Sequence, residues 1–327
     1  MKKIQNILIA GFGDIGNRVA KKLRSSRHYR VKALVRKTST LSRHPKTAKP
    51  HGVQFLRGDL NNLRSLQKLT GLADTILHFA PPPGTGKCDA HTQHLLATLS
   101  GGQSSAHRRF HHDSPQSALA RPAMLPRRII YISTTGVYGN CNGEWINETR
   151  PVKPESARAR RRVDAERRLQ KWGRLHRVSI TILRAPGIYA EDRLPLNRLQ
   201  RQTPVLRSAD DVFTNHIHAA DLASAVITAM RQQWPKQYRV FNVADDSQLR
   251  MGDYFDQVAD AFGVKRPPRI SRLHADSVIS LSRLSFMRES RRIDNARVKR
   301  ELKLTLKYPT LASVLSGLQP SIRSLPD

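Results

Sequence analysis

Seven short apolar runs punctuate this chain, and the segments between several of them carry apolar residues at helical spacing. "IQNILIA" at 4–10 ends in glycines, and "NRVAKKLRSS" follows with Ile15, Val19 and Leu23 four apart, so the opening reads as strand, turn, helix. "YRVKALVRK" alternates Val31, Ala33 and Val35 with basic residues, and "VQFLRGDL" and "ADTILHFAPPP" add a third and a fourth strand. "RRIIYIST", "VSITILRAPG" and "YRVFNVADD" continue the series. Helical stretches are expected at "LRSLQKLTG", "HTQHLLATL" and "HAADLASAVITAMRQ", with a helical region from about Met251 onward. Strands alternating with helices imply an α/β fold, a parallel sheet with right-handed crossovers. The segment 101–128, "GGQSSAHRRFHHDSPQSALARPAMLPRR", breaks the rhythm and reads as a surface insertion. Its His107, His111 and His112 lack carboxylate or cysteine companions at useful spacing, so no metal site is expected.

The helix expected over "PESARARRRVDAERRLQKW" poses a problem of its own. At 100° per residue Arg158, Arg162, Ala165, Leu169 and Trp172 share one face, which sets two arginines in line with the residues due for burial. Either that face looks at an anionic ligand or the arginines are ordinary surface charge. Arg160, Arg161, Arg167, Arg168 and Lys171 fall to the outer face, where their repulsion leaves monomer and homodimer both open.

The first turn carries the most specific chemistry. In "GFGDIG", Gly11, Phe12, Gly13, Asp14, Ile15 and Gly16 join the first strand to the first helix. Gly11 permits a tight turn, Gly13 lets backbone approach a pyrophosphate, and Gly16 lets helix pack on strand, which is the pattern of dinucleotide binding at a helix N-terminus. Twenty residues beyond Gly16 stands Arg36, where an NAD site carries Asp or Glu. Arg36, flanked by Lys37 and Thr38, suits a 2′-phosphate, so NADP is preferred over NAD; the alternative is one more basic residue in a basic chain. Asp59 and Leu60 of "GDL" end the third strand, where a side chain can meet the adenine. "PPPGTGKCD" lacks the first glycine and the following Ser or Thr of an ATP-binding loop.

Composition narrows the picture further. Lys and Arg number 57 against 25 Asp and Glu, a formal charge of +32 that attracts polyanions nonspecifically at low salt. No recognised nucleic-acid motif accompanies that charge and aromatic residues are sparse, so no specific nucleic-acid partner is expected. Two cysteines, Cys88 and Cys141, fit a reducing cytoplasm. No apolar run approaches a membrane span, and "ILIAGFG" is too short for a signal-peptide core; a soluble cytoplasmic protein is expected.

Taken in order, "GFGDIG", "GDL", "LHFAPP", "YISTTGVYG", "LRAPGIY", "HIHAADLA" and "FNVADD" resemble the extended short-chain dehydrogenase/reductases, the branch of NAD(P)-dependent epimerases and dehydratases. The resemblance implies a Rossmann-like doubly wound parallel sheet with a smaller, interleaved C-terminal substrate domain. Residues 1–186 would form the dinucleotide-binding domain and 187–327 a mostly helical substrate domain, with 212–245 returning to the sheet. It also implies a Ser or Thr, a Tyr and a Lys as catalytic groups, the Tyr exchanging a proton while hydride moves at the nicotinamide. Thr134 matches the hydroxyl that orients substrate. Glu166 sets the register of the helix, so the Lys position is Arg162 and the Tyr position is Arg158. A guanidinium stays protonated and cannot shuttle a proton. Arg162 is then expected to bind ribose or phosphate and Arg158 to clamp a ligand carboxylate or phosphate; Tyr138 is expected to pack beside the cofactor, with Tyr138 or Tyr189 standing in as acid the alternative. Ala80 and Pro81 would meet the middle of the cofactor, and Pro186, Gly187 and Ile188 the nicotinamide amide. His218 is expected to cap a helix start, and Arg291 and Arg292 to meet an anionic substrate or solvent. The resemblance implies an NADP-preferring oxidoreductase or epimerase acting on a small anionic or nucleotide-linked substrate. The alternative is a catalytically silent NADP-binding sensor or scaffold, since the same fold hosts both.

Overall fold

The computed structural model describes residues 4–36, 52–101, 125–233 and 237–322. Most of the expected insertion at 101–128, with its three histidines, lies outside the described residues, as do Lys37 and Thr38. All seven apolar runs become strands of one parallel sheet: β1 Gln5–Ala10, β2 Tyr29–Val35, β3 Val53–Arg57, β4 Thr75–His78, β5 Arg128–Thr134, β6 Ser179–Ala185 and β7 Tyr238–Asn242. Their order is β7-β6-β5-β4-β1-β2-β3. β1 therefore lies between β2 and β4, with Ile7 level with Val31 on one side and Thr75 on the other. Ile7, Leu8, Ile9 and Ala10 are all fully buried, as a central strand covered on both faces requires.

Helix α1, Asp14–Arg24, buries Ile15, Val19 and Leu23 and places Lys21, Lys22 and Arg24 in its last turn, where they complement the helix dipole. Helix α2 spans Ala90–Leu99, α3 Ala157–His176 and α4 Ala219–Arg231. The stretch Leu63–Leu69, expected as helical, is wound as a tight 3₁₀ helix. Its buried residues, Leu66 and Leu69, lie three apart, which is the repeat of that helix.

The chain divides into two compact units: Met1–Ser133, Arg160–Ile182 and Ala229–Arg239 form one, and Thr134–Ala159, Leu183–Thr228 and Val240–Asp327 the other. Among the described residues of 212–245 only β7 joins the large sheet. His216–His218 instead pairs in parallel with Gly187–Tyr189, and Phe213–Thr214 pairs antiparallel with Leu249–Arg250. The second unit packs helix α5, Met251–Ala261, with helix α6, Leu311–Ile322, around Tyr189, Leu199, Tyr254, Phe255, Val258 and Leu311.

Two buried carboxylates organise that second unit. Asp221 accepts from the backbone N–H groups of Lys307 and Tyr308 at 2.9 and 2.8 Å, which ties the segment before α6 to the head of α4. Asp245 accepts from Ser247 N–H at 3.0 Å and stands against the Tyr189 hydroxyl, and burial pushes its carboxyl up to about 7. Asp221→Ala strands two backbone donors and should cost about 2–4 kcal/mol in urea denaturation; an unchanged midpoint would show the tie to be dispensable. The Asp245 shift makes stability depend on pH. Its folded pKa lies above the unfolded value of about 3.9, so the folded state alone keeps the proton between the two and stability falls as pH rises from about 4 to 7. The denaturation midpoint of Asp245→Asn should gain on wild type across that window; a difference constant from pH 4 to 8 would refute the shift.

Candidate functional site

At the carboxyl end of β1 the chain turns at Gly11 with φ of +104°, a left-handed conformation that favours glycine. A β-carbon there would lie 2.3 Å from the Ala80 nitrogen, so only glycine lets β1 and the end of β4 approach this closely. A β-carbon on Gly16 would strike the Gly11 carbonyl at 2.8 Å, whereas one on Gly13 would meet nothing within 4 Å. Gly13 is also the N-cap of α1 and supplies no side chain to the first-turn N–H groups. A bare backbone at a helix N-terminus, at the point where strand order reverses between β1 and β4, is an anion cradle. These residues fit the pyrophosphate of a dinucleotide.

The other expected cofactor contacts of the first unit stand on strand ends of the same sheet. Arg36 is exposed one residue past β2. Asp59 closes a turn by accepting from the Asn61 N–H at 2.9 Å, and Leu60 is buried with its carbonyl 2.6 Å from His94 Nδ1. Pro81, exposed beside buried Ala80, has its carbonyl 2.7 Å from His91 Nδ1. Phe12 sets its ring edge-on to Phe55, with centroids 5.3 Å apart. Asp14 pairs with Arg18 at 2.8 Å.

Helix α3 buries Ala165, Leu169 and Trp172, and Arg162 on the same face is half-buried. Arg162 Nη1 donates to the Tyr131 hydroxyl and to the Ile132 carbonyl, both at 2.8 Å. Glu166 is buried and accepts from Ser133 Oγ at 2.5 Å. The outer face needs correcting at two of its residues. Arg161, expected there, is 7% exposed and donates to the carbonyls of Gly86 and Gly84 at 2.9 and 3.1 Å. Its guanidinium gathers the glycine-rich loop after β4, which no helical wheel includes. Arg168 is also drawn in, paired with Asp164 at 2.7 Å.

The second unit holds a cavity of about 380 Å³. Thr134, Arg158, Pro186, Gly187 and Ile188 line it together, and four arginines, 158, 193, 198 and 291, reach its wall. The Arg158 guanidinium stacks 3.6 Å over the Phe286 ring, with Nη2 3.4 Å from Ser285 Oγ. Burial lowers its pKa, and nearby Glu289 works against that shift. Arg291 is partly neutralised by Glu289 at 2.9 Å, and Arg198 lies 4.3 Å over Phe255. Arg292 stacks over Trp145 and Phe213 and donates to the Gly143 carbonyl at 2.7 Å. Thr134 Oγ1 accepts from Gly136 N–H at 3.1 Å, capping the short turn Thr135–Tyr138.

Tyr138, for which a role as stand-in acid was the alternative to packing, does not line this cavity. Its hydroxyl donates to Asn242 Oδ1 at 2.8 Å and accepts from Arg184 Nη1 at 2.9 Å, and burial raises its pKa. Tyr189 does line the cavity, but burial and the carboxylate of Asp245 raise its phenol well above the ordinary range. His218 caps α4, accepting from Ala220 N–H at 3.3 Å.

His216 escaped the sequence reading. It stacks on Tyr254 with centroids 4.1 Å apart, and a β-carbon on Gly187 would strike its Cδ2 at 2.9 Å. Burial lowers its pKa to about 4, so the cavity presents a neutral imidazole. Its alternation with His218 on a strand was the available signal, but the stacking partner lies on α5, distant in sequence. Arg193, Arg198 and Glu289 were missed for the same reason. Among the described residues no cluster of three or more His, Cys, Asp or Glu could hold a metal, and both cysteines are free thiols. No described helix is long and apolar enough to cross a membrane.

Comparison with known proteins agrees with this geometry. Protein YeeZ of Escherichia coli K12 is 26% identical over 222 residues, covering 66% of this chain and 71% of that protein. A conserved protein of unknown function from Silicibacter pomeroyi DSS superposes with a TM-score of 0.73 at 25% identity, covering 98% of this chain and all of that one. The UDP-glucuronic acid 4-epimerase of Bacillus cereus, solved with UDP-glucuronic acid and NAD, shares the fold at a TM-score of 0.69 and 17% identity, with 98% and 100% coverage. The model of the NAD dependent epimerase/dehydratase family matches residues 7–244, from the first strand through the last strand of the sheet, and the chain belongs to that family.

Proposed function

We propose that this protein is an NADP-preferring oxidoreductase or epimerase acting on a nucleotide-linked or otherwise anionic sugar substrate. The observation that carries the reading is the cavity in which Thr134 and Pro186–Ile188 share a wall with four guanidiniums. That lining suits a phosphate or carboxylate, since paired N–H donors on a guanidinium match both anions. The neutral ring of His216 adds a hydrogen-bonding group for a sugar hydroxyl. The turn Gly11–Gly16 takes the pyrophosphate, Asp59 and Leu60 the adenine side, and Arg36 the 2′-phosphate. A bound nicotinamide supplies the hydride acceptor; the chain's own residues bind, orient and exclude water.

Arg158 cannot play the part of the family's tyrosine, because it holds its proton at every physiological pH. Its place over Phe286 supports an anion clamp instead. That substitution also favours a second reading, a nucleotide-binding sensor without turnover, and kinetics on the bound complex separates the two.

Titrating NADPH and NADH against the fluorescence of wild type and Arg36→Glu tests the cofactor. NADPH should bind more tightly to wild type, and Arg36→Glu should weaken it about tenfold or more while sparing NADH; equal loss for both nucleotides would refute the 2′-phosphate contact. UDP-glucuronic acid is the probe for the cavity. Arg158→Gln should weaken its binding about tenfold with NADPH affinity unchanged. Unaltered binding would remove Arg158 from the substrate site.

A further inference from the structure

Arg162 is anchored in a way that a lysine at the same position would not be. Both hydrogens of its Nη1 are spent, one on the Tyr131 hydroxyl and one on the Ile132 carbonyl. The guanidinium carbon lies 5.3 Å from the centre of the Tyr131 ring. Among the described residues neither Nη2 nor Nε of Arg162 has a protein partner, which leaves three N–H donors in a fixed plane.

Tyr131 is itself rigidly bedded. It is fully buried on β5, with its ring 5.0 Å from that of His78. Thr92 Oγ1 donates to Asp89 Oδ2 at 2.7 Å, so its single proton is committed. The contact of 2.8 Å between Thr92 Oγ1 and His78 Nε2 is therefore a donation from the imidazole. Burial lowers the His78 pKa to about 4 and raises that of the Tyr131 phenol, so both rings stay neutral and hold their places.

We infer that Tyr131 is a positioning residue, which aims the Arg162 fork so that an arginine can hold the ribose hydroxyls of a dinucleotide. The inference rests on the dinucleotide reading above and adds what makes the arginine serviceable. An ammonium on a flexible stem finds its own acceptors, whereas a planar fork delivers its donors only if its plane is set. The phenol and the Ile132 carbonyl, on neighbouring residues of β5, set that plane from one nitrogen.

The test is a double-mutant cycle on the full chain, with NADH and NADPH affinities and the thermal midpoint read for wild type, Tyr131→Phe, Arg162→Lys and the double variant. Tyr131→Phe should weaken both nucleotides about five- to tenfold, the loss expected when one hydrogen bond to a charged group goes. In the Arg162→Lys background the same change should alter affinity by less than about twofold, since a lysine needs no aiming. Tyr131→Met is the second variant should the Phe form fail to fold, with the same expectation. Wild-type affinity in Tyr131→Phe, or an equal loss in both backgrounds, overturns the assignment while leaving the dinucleotide site intact. Failure of wild type to bind either nucleotide overturns the site and the assignment together.

Discussion

The close approach of two backbones at Gly11 is the constraint on which the remaining architecture depends. With a β-carbon 2.3 Å from the Ala80 nitrogen, any other residue would force the ends of β1 and β4 apart. Those two strands are the ones between which the sheet order reverses, so separating them would open the crevice where a dinucleotide would be gripped. Gly16 repeats the logic from the helix side, its missing side chain letting α1 lie on the Gly11 carbonyl. The bare backbone at Gly13 then follows as the remaining face of the same turn.

Charge is the second theme. A chain with a formal net charge of +32 cannot place every guanidinium in water at no cost, and here several are put to internal use. Arg161 gathers a glycine loop, Arg162 bridges a tyrosine and a carbonyl, and Arg158, Arg198 and Arg292 stack over aromatic rings. Each relies on the planar, weakly hydrated fork, which tolerates burial against carbonyls and π faces better than an ammonium does. Arginine at the two positions where the family resemblance implies tyrosine and lysine belongs to the same habit.

Much of this was legible in one dimension. A strand buried on both faces must be apolar throughout, so "NILIA" and "RIIYIS" announced themselves without any partner being known. The glycine turn was legible because backbone conformation and close approach are local demands on residue type. The helical stretch at Leu63–Leu69 was legible too, though not its kind, since the spacing of three between Leu66 and Leu69 is common to both helices. Arg161 was misplaced because its partners, the Gly84 and Gly86 carbonyls, stand more than seventy residues away and outside any helical period.

By itself, then, the sequence determined the alternation of strands and helices, the turn that suits a pyrophosphate, and the setting of two arginines on one face of a long basic helix. These follow from periodicity and from the conformational range of single residue types, which act over a few neighbouring positions. Only the tertiary structure decided that Tyr138 spends its hydroxyl on Asn242 and Arg184, that Tyr131 anchors Arg162, and that His216 stacks on Tyr254 in a cavity ringed by guanidiniums. A hydrogen bond or a stacked ring depends on which atoms meet across elements, and that is set by packing between segments whose separation along the chain carries no record of it.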